Sequence, residues 1–283
     1  KRQQWAELIA RCMYMVGVRK EDVFQNMTGY GLFTGGLGFH YGAEKLGALT
    51  IPAGAGNSKR QIQLMQQFGT TVLHIIPSYA LRLMNILTDM GIDPRQDLYL
   101  RIAFLGAEPY TEEIRQRVEK FYGINAFNSY GLSEMNGPGV AFECPEKKGL
   151  HIWEDHYIVE IINPETLEPV REGEIGELVM TTLAREAMPI IRYRTKDLTR
   201  FIPGECACGR VHRRIDWIQG RSDDMIIIKG VNIFPMQIEQ VLMSMSEVGN
   251  NYVIILEKEN DIDQIRAVSY THLRAHETSL HLV

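Results

Sequence analysis

Residues 100–129 read LRIAFLGAEPYTEEIRQRVEKFYGINAFNS, and their order decides the fold. Leu100–Leu105 is a β-like run of strand length. Gly106-Ala107-Glu108-Pro109 turns the chain. Thr111–Tyr122 then reads as a helix, with the Thr111 hydroxyl placed to cap its first turn. Ala126–Ser129 returns as a second short strand. Strand, turn, helix and strand in succession imply an α/β layer with a largely parallel sheet. In such a sheet ligands gather at the carboxyl ends of the strands.

Working outward from that unit, the alternation continues. Residues 1–16 read as a helix, with Trp5, Leu8, Ile9, Cys12 and Met13 on its apolar stripe. Gly29–Gly42 holds six glycines in 14 positions. Lys59–Phe68 reads as a helix and Thr71–Ile76 as a buried strand. Ser78–Met90 reads as a further helix, with Ser78 as its cap. After Gly139 the texture changes. Ile158–Ile162, Gly176–Thr182 and Ile190–Tyr193 are β-like and separated by turns at Asn163-Pro164 and Glu172-Gly173. Residues 220–224 form a polar junction. A strand at Met225–Ile228, a turn at Lys229-Gly230, a helix at Pro235–Met245 and a strand at Tyr252–Leu256 follow. The fold class expected is α/β, divided into an α/β part at 1–140, a β-rich subdomain at 141–219, a hinge at 220–224 and the start of a small α+β domain at 225–267. Residues 268–283, ending SYTHLRAHETSLHLV, read as a non-native tail, and the chain reads as truncated at both ends.

Composition narrows the function classes. The chain has 283 residues, is 45% hydrophobic and 23% charged, and carries a formal charge of −5. A buried core is within reach, and disorder is not expected. The acidic balance gives no support to a nucleic-acid or anionic-membrane partner. The apolar runs are too short to cross a membrane, and no signal peptide is visible. Four cysteines do not make a disulfide scaffold in a chain of this length. A reducing, cytoplasmic setting is therefore expected.

Three further motifs carry polar chemistry. Tyr130-Gly131-Leu132-Ser133-Glu134 sets a hydroxyl beside a carboxylate, a pair suited to phosphate and a hard cation. Tyr193-Arg194-Thr195-Lys196-Asp197 follows a β-like run, and an aspartate there can accept hydrogen bonds from ribose hydroxyls. Gly220-Arg221-Ser222-Asp223-Asp224 lies at the junction. Singly, each is also what an ordinary surface turn looks like.

In this order, with Gly106–Pro109, the motifs resemble the adenylate-forming superfamily of acyl-CoA synthetases, luciferases and peptide-synthetase adenylation domains. Gly29–Gly38, Gly131–Val140, Ile190–Thr195 and Gly230–Pro235 resemble in particular the phenylacetate–CoA ligase group, over about residues 1–267. The resemblance implies ATP-dependent ligation of an aryl acid, phenylacetate first, to CoA through an acyl-adenylate, as in phenylacetate catabolism. It implies that Gly106, Ala107 and Glu108 hold adenine, that Tyr130 stacks on it, and that Asp197 and Arg221 bind the nucleotide. Ser133 would contact phosphate, Glu134 would bind Mg²⁺, and Asp223 would be the pivot of the hinge. Tyr30, Phe33, Phe39 and His40 would shape the aryl-acid pocket. The group's phosphate loop and its late catalytic lysine are absent from this sequence, so the segment alone is expected to be a poor catalyst.

Cys206-Ala207-Cys208-Gly209, with Cys144 and His151 upstream, offers three thiols and an imidazole, a set suited to structural Zn²⁺. Three thiols and a histidine that bind nothing are the other reading of these residues. A competing function is a zinc-stabilised nucleic-acid-binding module, supported only by the CxCG turn. A nucleotide-binding dehydrogenase lacks its fingerprint, since Gly31–Gly38 has the wrong spacing. The sequence leaves a homodimer open.

Overall fold

A computed structural model describes residues 2–31, 34–135, 137–224, 226–228, 231–245, 248–249, 252–259, 262–270 and 277–282. The chain opens with α1 (Arg2–Met15), β1 (Val23–Asn26), α2 (Thr34–Leu46), β2 (Leu49–Ile51), α3 (Ser58–Phe68), β3 (Val72–Ile75), α4 (Pro77–Asp89) and α5 (Pro94–Asp97). Next come β4 (Ile102–Gly106), α6 (Glu112–Tyr122), β5 (Asn125–Leu132), a 3₁₀ turn at Ser133–Met135, β6 (Gly137–Glu143) and β7 (Leu150–Ile152). Then follow β8 (Tyr157–Ile162), β9 (Gly176–Thr182), β10 (Tyr193–Thr199), β11 (Phe201–Ile202), β12 (Arg214–Ile215) and β13 (Gly220–Arg221). The last elements are β14 (Ile226–Ile228), β15 (Val231–Ile233), α7 (Pro235–Ser244), β16 (Tyr252–Glu259), β17 (Ile262–Tyr270) and β18 (Glu277–Leu282).

Nine strands form one sheet in the order β11-β12-β7-β6-β5-β4-β3-β1-β2. Strands β1 to β5 within it are parallel, and the pairs from β5 to β11 are antiparallel. The inner strands β3 and β4 are covered on both faces and are buried along their whole length, while Leu49 on the edge strand β2 is exposed. Side chains alternate between the two faces. Val72, Ile102 and Phe104 join α1 and α2 in one core, with Phe24, Phe39 and Phe142. Leu73, Ile75, Ala103 and Leu105 join α3, α4, α6 and α7 in the other. A second sheet, β13-β10-β9-β8, is antiparallel. Strand β6 spans 137–143, so the large sheet runs on across residue 140, and the strands of 141–219 are shared between the two sheets.

The glycine-rich stretch divides, and its second half is helix α2. A methyl group at Gly42 would lie 2.3 Å from Cγ2 of Ile9, and one at Gly38 would lie 2.7 Å from Cζ2 of Trp5. These glycines let α1 lie close against α2. Helix α6 forms as its sequence dictates: Thr111 Oγ1 accepts from Ile114 N, and Gly123 ends the helix in a left-handed conformation. At the amino ends of the parallel strands, Asp22 accepts from Arg19 N at 2.7 Å, Thr71 Oγ1 at 2.7 Å and Arg101 Nε at 2.8 Å. Burial pushes this carboxyl up, but the hydrogen bonds outweigh it and hold it below the ordinary aspartate value.

Two expectations are corrected. Ser78 does not cap α4: Ile76 is the N-cap and Pro77 begins the helix, its missing N–H costing nothing there. The strand expected at Ile190–Tyr193 starts only at Tyr193, and Ile191 is 74% exposed. The expected Lys229-Gly230 turn lies outside the described residues. In 268–283, Glu277–Leu282 pairs antiparallel with β17.

Candidate active site

A cavity of about 350 Å³ opens beyond the carboxyl ends of β4 and β5. Its position follows from the parallel half of the sheet, where the turn after each strand leaves backbone at the rim. Gly106 ends β4 opposite Ser129 of β5. A Cβ at Gly106 would lie 2.4 Å from Ser129 Oγ and 2.5 Å from Ser129 O, so only glycine fits. Ala107 takes a positive φ of 72°, which turns the chain into the cavity wall. The Glu108 carboxylate accepts from both the backbone N–H and the hydroxyl of Ser78, the latter at 3.0 Å. It therefore supplies an acceptor to the amino end of α4, where a negative charge is stabilising.

Three expected residues from distant segments meet in this cavity. The Tyr130 hydroxyl donates to Asp197 Oδ2 at 2.6 Å, and Arg221 Nη1 donates to Asp197 Oδ1 at 3.2 Å. Strand β10 carries Asp197 directly opposite Arg221 on β13, so sheet register sets that pair. Burial pushes the Asp197 carboxyl above its ordinary value, against the pull of Tyr130 and Arg221. Burial and the neighbouring carboxylate push the Tyr130 phenol well up, so it stays a donor. Arg221 also reaches Asp223, Nε to Oδ1 at 3.0 Å and Nη2 to Oδ2 at 3.0 Å.

A smaller cavity of about 110 Å³ shares Ala107, Ser129, Gly131 and Leu132 with the first. Phe39 and His74 line it, stacked with ring centroids 3.8 Å apart. Burial depresses His74 to about 3, so its ring is neutral, and its Nδ1 lies 3.0 Å from Asn26 Oδ1. Tyr30 and His40 face each other instead: Tyr30 Oη lies 3.2 Å from His40 Nδ1, and neither lines the two cavities. Phe33 lies outside the described residues. At the outer end, Ser133 Oγ lies 3.2 Å from Thr34 Oγ1. Exposed Glu134 accepts from the Tyr193 hydroxyl at 3.2 Å, and Arg185 donates to its backbone carbonyl.

Cys144, His151, Cys206 and Cys208 converge, with all four ligand atoms within 4.8 Å of one another. Cys144 Sγ is 3.7 Å from Cys206 Sγ, and Cys208 Sγ is 3.3 Å from His151 Nε2. His151 Nδ1 lies 3.2 Å from the His212 carbonyl. A proton on Nδ1 leaves the Nε2 lone pair facing the thiols, which is the tautomer a metal requires. The group lies where β6, β7 and the β11–β12 connection meet.

Residues 4–183 match the AMP-binding enzyme family, and residues 230–276 match the AMP-binding enzyme C-terminal domain. The chain belongs to the AMP-binding enzyme family. It is 48% identical over 272 residues to the phenylacetate-coenzyme A ligase of Pseudomonas putida, covering 96% of this chain and 61% of that protein. To the phenylacetate-coenzyme A ligase of Escherichia coli (strain K12) it is 45% identical over 262 residues, covering 92% and 59%. The chain thus spans about three fifths of the length of these relatives. Among solved structures it is similar to 2-hydroxyisobutyryl-CoA ligase in the postadenylation state, with a TM-score of 0.88 at 30% identity, covering 93% of this chain and 57% of that one.

Several lining residues of the two cavities are not legible in the sequence. Trp217, Tyr110 and Asn128 line the larger cavity, and His74 and Thr34 line the smaller. Thr34 stood inside the Gly29–Gly38 stretch without being singled out, and the other four lie in no quoted motif. Tyr193 stood inside a quoted motif, but nothing in the sequence pointed its hydroxyl at Glu134. Among the described residues, no helix is long and apolar enough to cross a membrane.

Proposed function

We propose that this chain is the nucleotide- and acid-binding part of a cytoplasmic acid–thiol ligase, which joins an aryl acid to CoA at the expense of ATP. The observation that carries the reading is the junction of Tyr130, Asp197 and Arg221 in the larger cavity, which shares a wall with a smaller one lined by Phe39 and His74. In the reaction, the acid's carboxylate oxygen attacks the α-phosphorus of ATP and pyrophosphate leaves. The CoA thiol then attacks the acyl carbon, and AMP leaves. The turn Gly106-Ala107-Glu108 and the ring of Tyr130 would hold adenine. Asp197 and Arg221 would orient the ribose, and Ser133 would contact phosphate. Glu134, an exposed carboxylate beside that hydroxyl, suits Mg²⁺, which when bound neutralises phosphate charge. Asp223 would be the hinge between the two half-reactions.

Phenylacetate is the first choice of acid, because the relatives named for it are similar over nearly all of this chain. Indoleacetate or a substituted phenylacetate comes second. Phe39, which lines the smaller cavity, would form the aryl side, while Tyr30 and His40 lie outside both linings. Three thiols and an imidazole this close also fit one structural Zn²⁺, with no position left for a substrate. The nucleic-acid-binding alternative is not supported: the family matched is an enzyme family, and the CxCG turn is taken up in the Cys/His group. The test is acid-dependent AMP release by the complete protein across a panel of aryl acids, with AMP titration of this chain beside it. AMP release indifferent to every acid in the panel would sink the ligase reading.

A further inference from the structure

Beneath the larger cavity lies a carboxylate that the reaction above does not use. Glu143, the last residue of β6, is 0% exposed. One oxygen accepts from the backbone N–H of Asn128 at 2.7 Å, and the other accepts from Trp217 Nε1 at 2.7 Å. Asn128 and Trp217 both line the cavity but come from segments 89 positions apart, by their numbers. The indole is further held by Tyr110, with ring centroids 4.9 Å apart, and by the Arg115 guanidinium 5.9 Å from its ring. A buried acid is costly unless its oxygens are used. Here both are used, and each by a residue of the same cavity wall.

We propose that Glu143 is a positioning residue of the nucleotide site, fixing the Trp217 indole and the Asn128 backbone as a single wall. This rests on the nucleotide reading of the cavity. Trp217 stands four residues before Arg221, so the same bond also sets where the chain enters β13. An amide in place of the carboxylate can accept only one of the two donors. Its NH₂ group would then face the other N–H. In Glu143→Gln the wall should part from Trp217, and AMP should bind about tenfold more weakly.

A double variant separates positioning from general stability. Trp217→Phe keeps a ring and removes the donor that the amide cannot meet. AMP affinity would be measured by calorimetry well below each variant's melting temperature, so that only folded protein reports. Expected are a weakened Glu143→Gln and a Glu143→Gln/Trp217→Phe double variant that binds AMP as Trp217→Phe alone does, because the conflict has been removed. A parent that binds AMP alongside a Glu143→Gln variant within about twofold of it refutes the inference and leaves the nucleotide reading standing. Simple multiplication of the two single losses in the double variant refutes it as well. Should Glu143→Gln not fold, the comparison of the double variant with Trp217→Phe decides alone. A parent that binds no AMP overturns the nucleotide reading, and this inference with it.

Discussion

Replacing Gly106 by alanine tests whether the cavity is built on strand spacing. The added methyl would sit 2.5 Å from Ser129 O and 2.4 Å from Ser129 Oγ. The hydroxyl can rotate away, at the cost of its 3.1 Å bond to Leu105 O. The carbonyl cannot, since β4 and β5 are paired in register from Ile102↔Asn125 to Gly106↔Ser129. Ordinary contact needs about 3.5 Å, so the strand ends must part by roughly 1 Å. Overpacking of this kind costs about 1–3 kcal/mol, and the parting falls at the mouth of the cavity proposed for the nucleotide. Urea denaturation of Gly106→Ala should show that loss, with weaker AMP binding. Gly29→Ala, whose methyl meets nothing within 4 Å, should stay within about 0.5 kcal/mol of the parent. Full rescue of Gly106→Ala by a second change, Ser129→Ala, would refute the reasoning, because that change leaves the carbonyl in place.

Asp22→Asn should lower stability at pH 7 by about 1–2 kcal/mol, since the charged hydrogen bonds count for less where Arg101 is half exposed. The Asp22 carboxyl is depressed in the fold, so its contribution is present above the ordinary aspartate value and lost as pH falls through the lower folded value. Parent and variant stability should therefore converge in acid, and a constant gap from pH 7 to pH 2 would contradict the assignment. Asp197→Ala should weaken AMP binding about tenfold or more, by loss of a charged acceptor for ribose. Unchanged affinity in calorimetry removes Asp197 from the site. Elemental analysis of untagged protein should find about one zinc per chain, by the count of four ligands, and Cys206→Ser should lose it and melt earlier. Folded, metal-free parent protein would defeat the zinc proposal.

Much of the parallel half was legible in the sequence because local rules and global packing agree there. Ile102–Leu105 is apolar on both faces since helices cover both, and α6 carries its own cap at Thr111 and its own stop at Gly123. Strand β10 was misplaced because its residues break the apolar rule. Arg194 reaches the fully buried Glu177 with Nε at 3.0 Å and Nη2 at 2.5 Å, so a polar strand is satisfied by an ion pair, while apolar Ile191 sits out in the loop. Strands β7, β11, β12 and β13 are two or three residues long, too short to show a period. The motif residues Tyr130, Asp197 and Arg221 were readable, and they meet. Trp217 and Asn128 were not, because their place in the wall is set by Glu143, a charge standing where an apolar strand residue would be expected.

The single guanidinium of Arg221 is shared among the largely buried Asp197, the exposed Asp223 and, at 3.7 Å, the exposed Asp224. Its planar fork gives two donors to Asp223 while a third stays on Asp197, a division that the compact ammonium of lysine cannot copy. Under the hinge proposal, swinging the backbone at Asp223 means letting go of that fork. The latch on the domain movement is thus a part of the nucleotide pocket itself. Thermodynamic reciprocity then runs both ways: whatever factor a bound nucleotide adds to the grip on Asp223, a locked hinge returns to the grip on nucleotide.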